Sequence, residues 1–170
     1  MTARIQQLGQ FCLLLVAAIA FVACAILGSG DPPPEKSSGV EFHAPTNPFS
    51  ESPLAGGADK AWQSSKTGST IAFNSHCEKG RDMSLEGLQK GILNGIENFK
   101  IEKRSSYSIK GGEGERISGT GTAEDIEIKM DIVIMRKETC SYDLVYISRA
   151  KAFSQELAHF EKFLERFKIP

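Results

Sequence analysis

The chain has 170 residues, with Lys+Arg 20 against Asp+Glu 21 and a formal net charge of −1. This length suits a single folded domain. The balanced charge, with no run of Lys and Arg, excludes a nucleic acid held through its phosphates, and an apolar content of 41% excludes a wholly disordered chain.

The first 27 residues stand apart. Met1 to Gln10 is polar, with Arg4 as its one basic side chain, and Phe11 to Leu27 (FCLLLVAAIAFVACAIL) carries no charge. A positive start followed by an apolar core is the layout of an export signal. The core is also at the lower length limit of a membrane-spanning helix. Three fates compete. In the favoured one, Phe21-Val22-Ala23-Cys24 resembles a bacterial lipobox. The chain would be cut before Cys24, and the Cys24 sulfur would carry diacylglycerol. In the second, Ala23-Cys24-Ala25 is a small-x-small site for ordinary signal peptidase. In the third, the segment stays as an uncleaved anchor. All three place the rest of the chain outside the cytoplasm. Arg4 precedes the apolar core, whereas Asp31, Glu35, Lys36 and Glu41 follow it, so the positive-inside bias keeps the start within. The expected location is the periplasmic or extracellular side of a bacterial membrane.

Gly28 to Ala58 holds six of the seven prolines, and Ser and Gly fill much of the rest. Such a composition buries too little apolar surface to order itself. Pro32-Pro33-Pro34 favours a stiff, extended start. The expected division is therefore a signal peptide at 1–23, a linker at 24–58 and a globular domain at 59–170.

Within that domain, Ala61 to Ser65 and Ser69 to Asn74 read as a hairpin around a Lys66-Thr67-Gly68 turn. Cys77 follows. A helix then starts at Ser84, a plausible N-cap, with Met83 and Leu88 at the positions of a hydrophobic staple. Leu85, Leu88, Ile92, Ile96 and Phe99 keep helical spacing along one face. Gly87, Gly91 and Gly95 recur beside this stripe, and each costs the helix about 1 kcal/mol relative to Ala. The compensating gain expected is close approach of the helix to a sheet.

Four strands should follow. They are Ile101 to Ile109, Glu113 to Thr122, Ile126 to Arg136 and Cys140 to Ser148, with the second weakened by Gly114, Gly119 and Gly121. In the third, Ile126, Ile128, Met130, Ile132 and Ile134 line one face. The other face turns from charged (Glu127, Lys129, Asp131) to apolar (Val133, Met135) halfway along. The last helix, with Ser148 as its expected cap, carries Phe153, Leu157, Phe160, Leu164 and Phe167 as a stripe that Phe163 widens. Hairpins flanked by helices give an α+β class: an antiparallel sheet of about six strands with helices packed on it.

Cys12 and Cys24 lie in the export segment, which leaves Cys77 and Cys140 for the domain. Two cysteines in an exported domain are read first as one disulfide. It would close a loop of roughly 64 residues and contribute about 4 kcal/mol in the chain-entropy model. Two unpaired buried thiols, or a metal site that adds His76, are the alternatives. The metal reading lacks a fourth ligand at suitable spacing.

Cys77, Cys140, the run Tyr142-Asp143-Leu144-Val145-Tyr146 and the closing Phe160, Phe163 and Phe167 together resemble a family of small, largely uncharacterised bacterial lipoproteins. The last helix is also similar to that of PsbP-like domains, named for an extrinsic subunit of photosystem II. The resemblance implies a PsbP-like sandwich, an antiparallel sheet between helices, and an exported location. It carries no activity.

Catalytic patterns are thin. Ser148-Arg149-Ala150-Lys151 fits S-x-x-K and Lys66-Thr67-Gly68 fits K-T-G, two strings of penicillin-interacting enzymes, but in reversed order and without S-D-N. Gly111 to Arg116 lacks a phosphate-loop continuation. Glu124, Asp125 and Glu127 lack calcium-loop spacing. His43, His76 and His159 fall on linker, strand end and helix. Asp143 beside Tyr142 imitates an acid/base site, and the preferred reading is an outward or hydrogen-bonded carboxyl. Trp62, Tyr142 and Tyr146 read as core.

The functional expectation is a non-catalytic interaction or accessory module of the envelope. It is tethered to the membrane at Cys24 and fastened by Cys77–Cys140, with no cofactor, no metal and no nucleic acid, and with an envelope protein as partner. The alternative is a small-ligand carrier with a pocket near Gly87, Gly91 and Gly95; a small hydrolase comes third. Alkylation of the denatured, non-reduced chain should leave Cys77 and Cys140 unlabelled in a peptide map. Two labelled cysteines would remove the disulfide.

Overall fold

A computed structural model describes residues 35–53, 58–78, 84–109 and 111–170. The strands in chain order are β1 (Phe49–Glu51), β2 (Lys60–Ser64), β3 (Thr70–Cys77), β4 (Glu97–Ile109), β5 (Gly112–Ala123), β6 (Ile126–Lys137) and β7 (Cys140–Arg149). Helix α1 (Leu85–Ile92) falls between β3 and β4. A 3-10 turn (Ala150–Ala152) leads from β7 into α2 (Phe153–Glu165). All seven strands form one antiparallel sheet in the order β1-β2-β3-β7-β6-β5-β4.

The two faces differ in chemistry. On one, Trp62, Ile71, Phe73, Leu144 and Tyr146 meet Phe153, Phe160, Phe163 and Phe167 from α2 and the chain end, giving an aromatic core. On the other, Ile117, Ile128, Met130, Ile132 and Ile134 lie beneath Leu85, Leu88, Ile92, Ile96 and Phe99. The two-sided pattern of β6 follows from its place inside the sheet. Its isoleucine face looks toward α1, whereas Val133 and Met135 join the aromatic side.

Three expectations are corrected. First, the chain from Glu35 to Pro53 does not remain in the spacer. β1 pairs with β2, with Phe49 opposite Ser64. Phe42 packs 4.9 Å from the Phe73 ring and 5.5 Å from the Trp62 indole. Glu41 and Lys168 exchange backbone hydrogen bonds of 3.0 and 2.8 Å. The folded unit thus begins before Asp59 and includes a strap from Glu35 to His43. Its apolar residues Val40, Phe42 and Phe49 are too sparse to show a period.

Second, α1 ends at Ile92, and Gly95 (φ +85) turns the chain into β4, so Ile96 and Phe99 reach the same apolar cluster from outside the helix. Ser84 does cap α1, accepting the Gly87 N–H at 3.1 Å. Met83 lies outside the described residues. Third, Ser148 caps nothing: α2 starts after Ala152, and Ser148 stays buried in β7.

The α1 glycines do not mark the close approach either. A Cβ at Gly91 would meet nothing within 4 Å, whereas one at Gly121 would stand 2.7 Å from Ile96 Cγ2 and one at Gly119 2.8 Å from the Phe99 ring. The tight packing is on β5. Gly91→Ala should therefore raise stability by about 0.5–1 kcal/mol through helix propensity. Gly119→Ala should lower it by about 1–3 kcal/mol through overpacking. Urea denaturation of the two variants distinguishes them, and equal effects would contradict this packing.

Candidate functional site

The strand ends of β3 and β7 carry Cys77 and Cys140 directly opposite one another, with Cα atoms 4.1 Å apart and the sulfurs joined. The Cys77 N–H points away from β7 and donates to the Glu35 carbonyl at 2.8 Å. This is the narrow, non-hydrogen-bonded kind of antiparallel pair. The strap is fastened at the same corner. The Ser37 N–H donates to Ser75 Oγ at 2.9 Å, and the Ser37 hydroxyl lies 2.9 Å from the Tyr142 hydroxyl. Lys36 reaches Asn74 Oδ1 at 2.5 Å and Asp59 Oδ1 at 2.8 Å. A cavity of about 410 Å³ opens here, lined by Glu35, Ser37, Cys77, Glu138, Cys140 and Tyr142. Cys24, the expected lipidation site, lies outside the described residues.

The two enzyme-like strings do come together, for a structural reason. The Ser69 hydroxyl donates to Ser148 Oγ at 2.9 Å. The Ser64 hydroxyl donates to Glu156 Oε1 at 2.8 Å, and Thr67 Oγ1 donates to Glu156 Oε2. Glu156 is 2% exposed and Ser148 4% exposed. Burial raises the Glu156 pKa, but the hydroxyls of Thr67, Ser64 and Ser69 outweigh it, so the carboxyl ends below its ordinary range. Ser64 and Thr67 are thus donors to a carboxylate, and Ser148 donates to the Arg149 carbonyl at 3.2 Å, with Lys66 and Lys151 both exposed. The cluster ties the β2–β3 turn to α2 and offers no activated nucleophile.

Arg116 performs a similar service across the aromatic face. Its guanidinium donates to both Asp131 oxygens at 2.8 Å and to both Glu161 oxygens at 3.0 and 2.6 Å. Hydrogen bonding to Asp131 leads in raising its pKa. Of the Gly111–Arg116 stretch, Gly111 (φ +82) makes the β4–β5 turn and the rest belongs to β5. Glu124 and Asp125, at φ +48 and +62, form the tight β5–β6 turn. Among the described residues, no group of three His, Cys, Asp or Glu side chains could hold a metal.

The histidines stay apart. His76 Nε2 sits 3.1 Å from Glu78, His43 pairs with Arg166 at 3.1 Å, and the His159 ring lies 5.2 Å from that of Phe49. Asp143 is half-buried, and one of its two carboxyl oxygens is enclosed. Between Asn74 and Ile134 in the ladder, its Oδ1 is buried without a hydrogen-bond partner among the described residues. Burial pushes its pKa to about 7, against the opposing pull of His76 and Lys36.

A wide concavity lies between β4, β5 and the end of β6. It has a volume of about 1480 Å³ and is lined by Leu85, Arg104, Ser106, Ser108, Glu113 and Arg136 among others. None of Gly87, Gly91 and Gly95 lines it. It is an open trough beside the outermost strand, with polar and apolar surface in similar shares.

No protein-family model matches this chain, and no curated protein matches it. Solved structures do. LpqN of Mycobacterium tuberculosis, described as involved in cell envelope biogenesis, aligns with a TM-score of 0.56 and 12% identity over 82% of this chain and 87% of its own. The PsbP protein of the cyanobacterium Synechocystis aligns with a TM-score of 0.52 and 9% identity over 85% and 99%. PA94 of Pseudomonas aeruginosa, a protein of unknown function, aligns at 0.51 and 12% over 84% and 88%. The fold is therefore PsbP-like, as the closing helix suggests.

Asp143 generates a pH prediction. Its folded pKa is above its unfolded value, so the folded state holds the proton more tightly, and stability falls as pH rises from about 4 to about 7. Such a shift is worth at most about 4 kcal/mol, and a buried amide in its place is itself imperfectly satisfied. Asp143→Asn should thus stabilise the protein by about 2 kcal/mol at pH 8 and have little effect at pH 4. Urea midpoints at the two pH values test this; a gain independent of pH would refute it.

Proposed function

We propose that this chain is an exported, lipid-anchored accessory module of the bacterial envelope that works by binding and not by catalysis. Cys24 is the lipidated residue, and the chain belongs with the small envelope lipoproteins it resembles. The observation that carries the reading is the corner where the chain enters the fold. There, Cys77 and Cys140 join beneath the strap at Glu35, a construction that suits an oxidising compartment. The similarity of the fold to LpqN, a protein of envelope biogenesis, supports the same location. Among the described residues, no helix is long and apolar enough to cross a membrane. Apart from Asp143, the buried carboxylates are held by hydroxyls or by Arg116, which favours a partner-binding surface over a reaction centre. A small-ligand carrier would need an enclosed apolar pocket, and the trough beside β4 is lined largely by Ser, Arg, Lys and Glu.

Intact mass of the membrane-extracted protein tests the anchor. The expected species starts at Cys24 and carries added acyl chains, and Cys24→Ala should abolish both the acyl mass and the cut. A chain that keeps residues 1–23 would overturn the proposal.

A further inference from the structure

The sheet has two outer strands, and they are managed differently. β1 is three residues long, whereas β4 has 13 residues and pairs with β5 alone. A bare strand edge invites another strand, and proteins usually blunt it. Only half of β4 is blunted. Its ladder with β5 is interrupted between Glu97 and Lys100 and again between Ile101 and Lys103. These irregularities, with Lys100 and Glu102 among them, twist that half away from regular pairing. From Lys103 to Ile109 the register is unbroken, opposite Ser118 to Gly112. This half presents Ser105, Ser106 and Ser108, all small and exposed, and contains no proline. The large trough runs along the same residues.

The charges of this half select its occupant. Lys103 and Arg104 stand at one end of the regular segment, while Ser108 and Ile109 stand at the other. Exposed Glu113 sits opposite Ser108 on the neighbouring strand. We propose that the regular half of β4 pairs antiparallel with the same segment of a second copy, about a twofold axis at Ser106, so that two sheets become one. Arg104 pairs with Glu115 of its own β5 and donates to Gln89; the axis sets it beside the second copy's uncharged Ser108, with Glu113 next to that on the same face as a second carboxylate within reach. The axis sets Ser105 beside Tyr107. The small side chain on the axis lets the backbones approach, and the ladder supplies hydrogen bonds that the edge otherwise makes to water. Such an edge contact is modest in area, and tethering both copies to one surface would raise their effective concentration.

Cross-linking of the full chain in detergent micelles tests this. The parental chain gives the background. On mild oxidation, a chain carrying Ser106→Cys should form a covalent dimer at least roughly ten times faster than one carrying Ser154→Cys, an exposed position on α2. Adding Glu113→Arg should slow the Ser106→Cys reaction, and adding Arg104→Glu as well should restore it. Equal rates at the two cysteines, or a rate indifferent to Glu113→Arg, overturns the proposal. So does a Ser106→Cys chain that joins a different protein in native membranes in place of its own copy.

Discussion

The pairing of β3 with β7 is the constraint on which the fold depends. β1-β2-β3 is one meander and β4-β5-β6-β7 another, and the sheet joins them only along this ladder. Its register sets Ile71 against Tyr146 and Phe73 against Leu144, which brings both meanders' apolar side chains onto the face that α2 covers. A slip of one residue would turn each of these outward. The disulfide pins that register at one end of the ladder, and the Ser69–Ser148 hydrogen bond holds it near the other. Since β3 and β7 are distant in sequence, their contact carries a loop-closure cost that local hairpins do not. A covalent link between them removes part of that cost from the unfolded state.

The polar groups inside the molecule serve the same end. Glu156 and Asp131 would be unfavourable if left alone in an apolar core, yet each is matched by donors from another element. Ser64 and Thr67 bind α2 to the β2–β3 turn, and Arg116 binds β5 to β6 and α2. Aromatic packing is tolerant of small shifts, whereas these bonds have narrow geometry. The aromatic layer supplies stabilisation, and the embedded charges specify how α2 lies on the sheet. Asp143 is the exception: a half-buried carboxyl without such a match, on the face where α1 offers thin cover.

On the proposed reading the functional surface is at the periphery. Most of the hydroxyls and carboxylates that could imitate chemistry pair with one another or with Arg116, Asp143 excepted. What the molecule offers to others is a short, unshielded length of strand beside an open trough, and a corner at which the chain arrives through a bonded strap.

Much of this was legible from residue order alone. Alternation along β6 identifies a strand buried on both sides, because a pleated backbone sends successive side chains to opposite faces. The aromatic stripe of α2 and the Ser84 cap follow from local geometry in the same way. Two lone cysteines in the domain favour a Cys77–Cys140 disulfide over free thiols or a metal site, and the structure joins them. Three things needed the tertiary structure. Val40 and Phe42 become core only because an aromatic pocket waits at a distance, and a proline-rich segment has no period to announce it. Ile96 and Phe99 continue a helical spacing although the chain has already turned at Gly95, since a strand entering beneath the helix reaches the same cluster. Ser148 reads as a helix cap, Asp143 reads as an outward or hydrogen-bonded carboxyl and Glu156 carries no signal at all, and only packing from other elements decides whether each is solvated, paired or stranded. Periodicity reports which side of an element turns inward; it carries no record of what lies across from it, because that contact is made by residues far away along the chain.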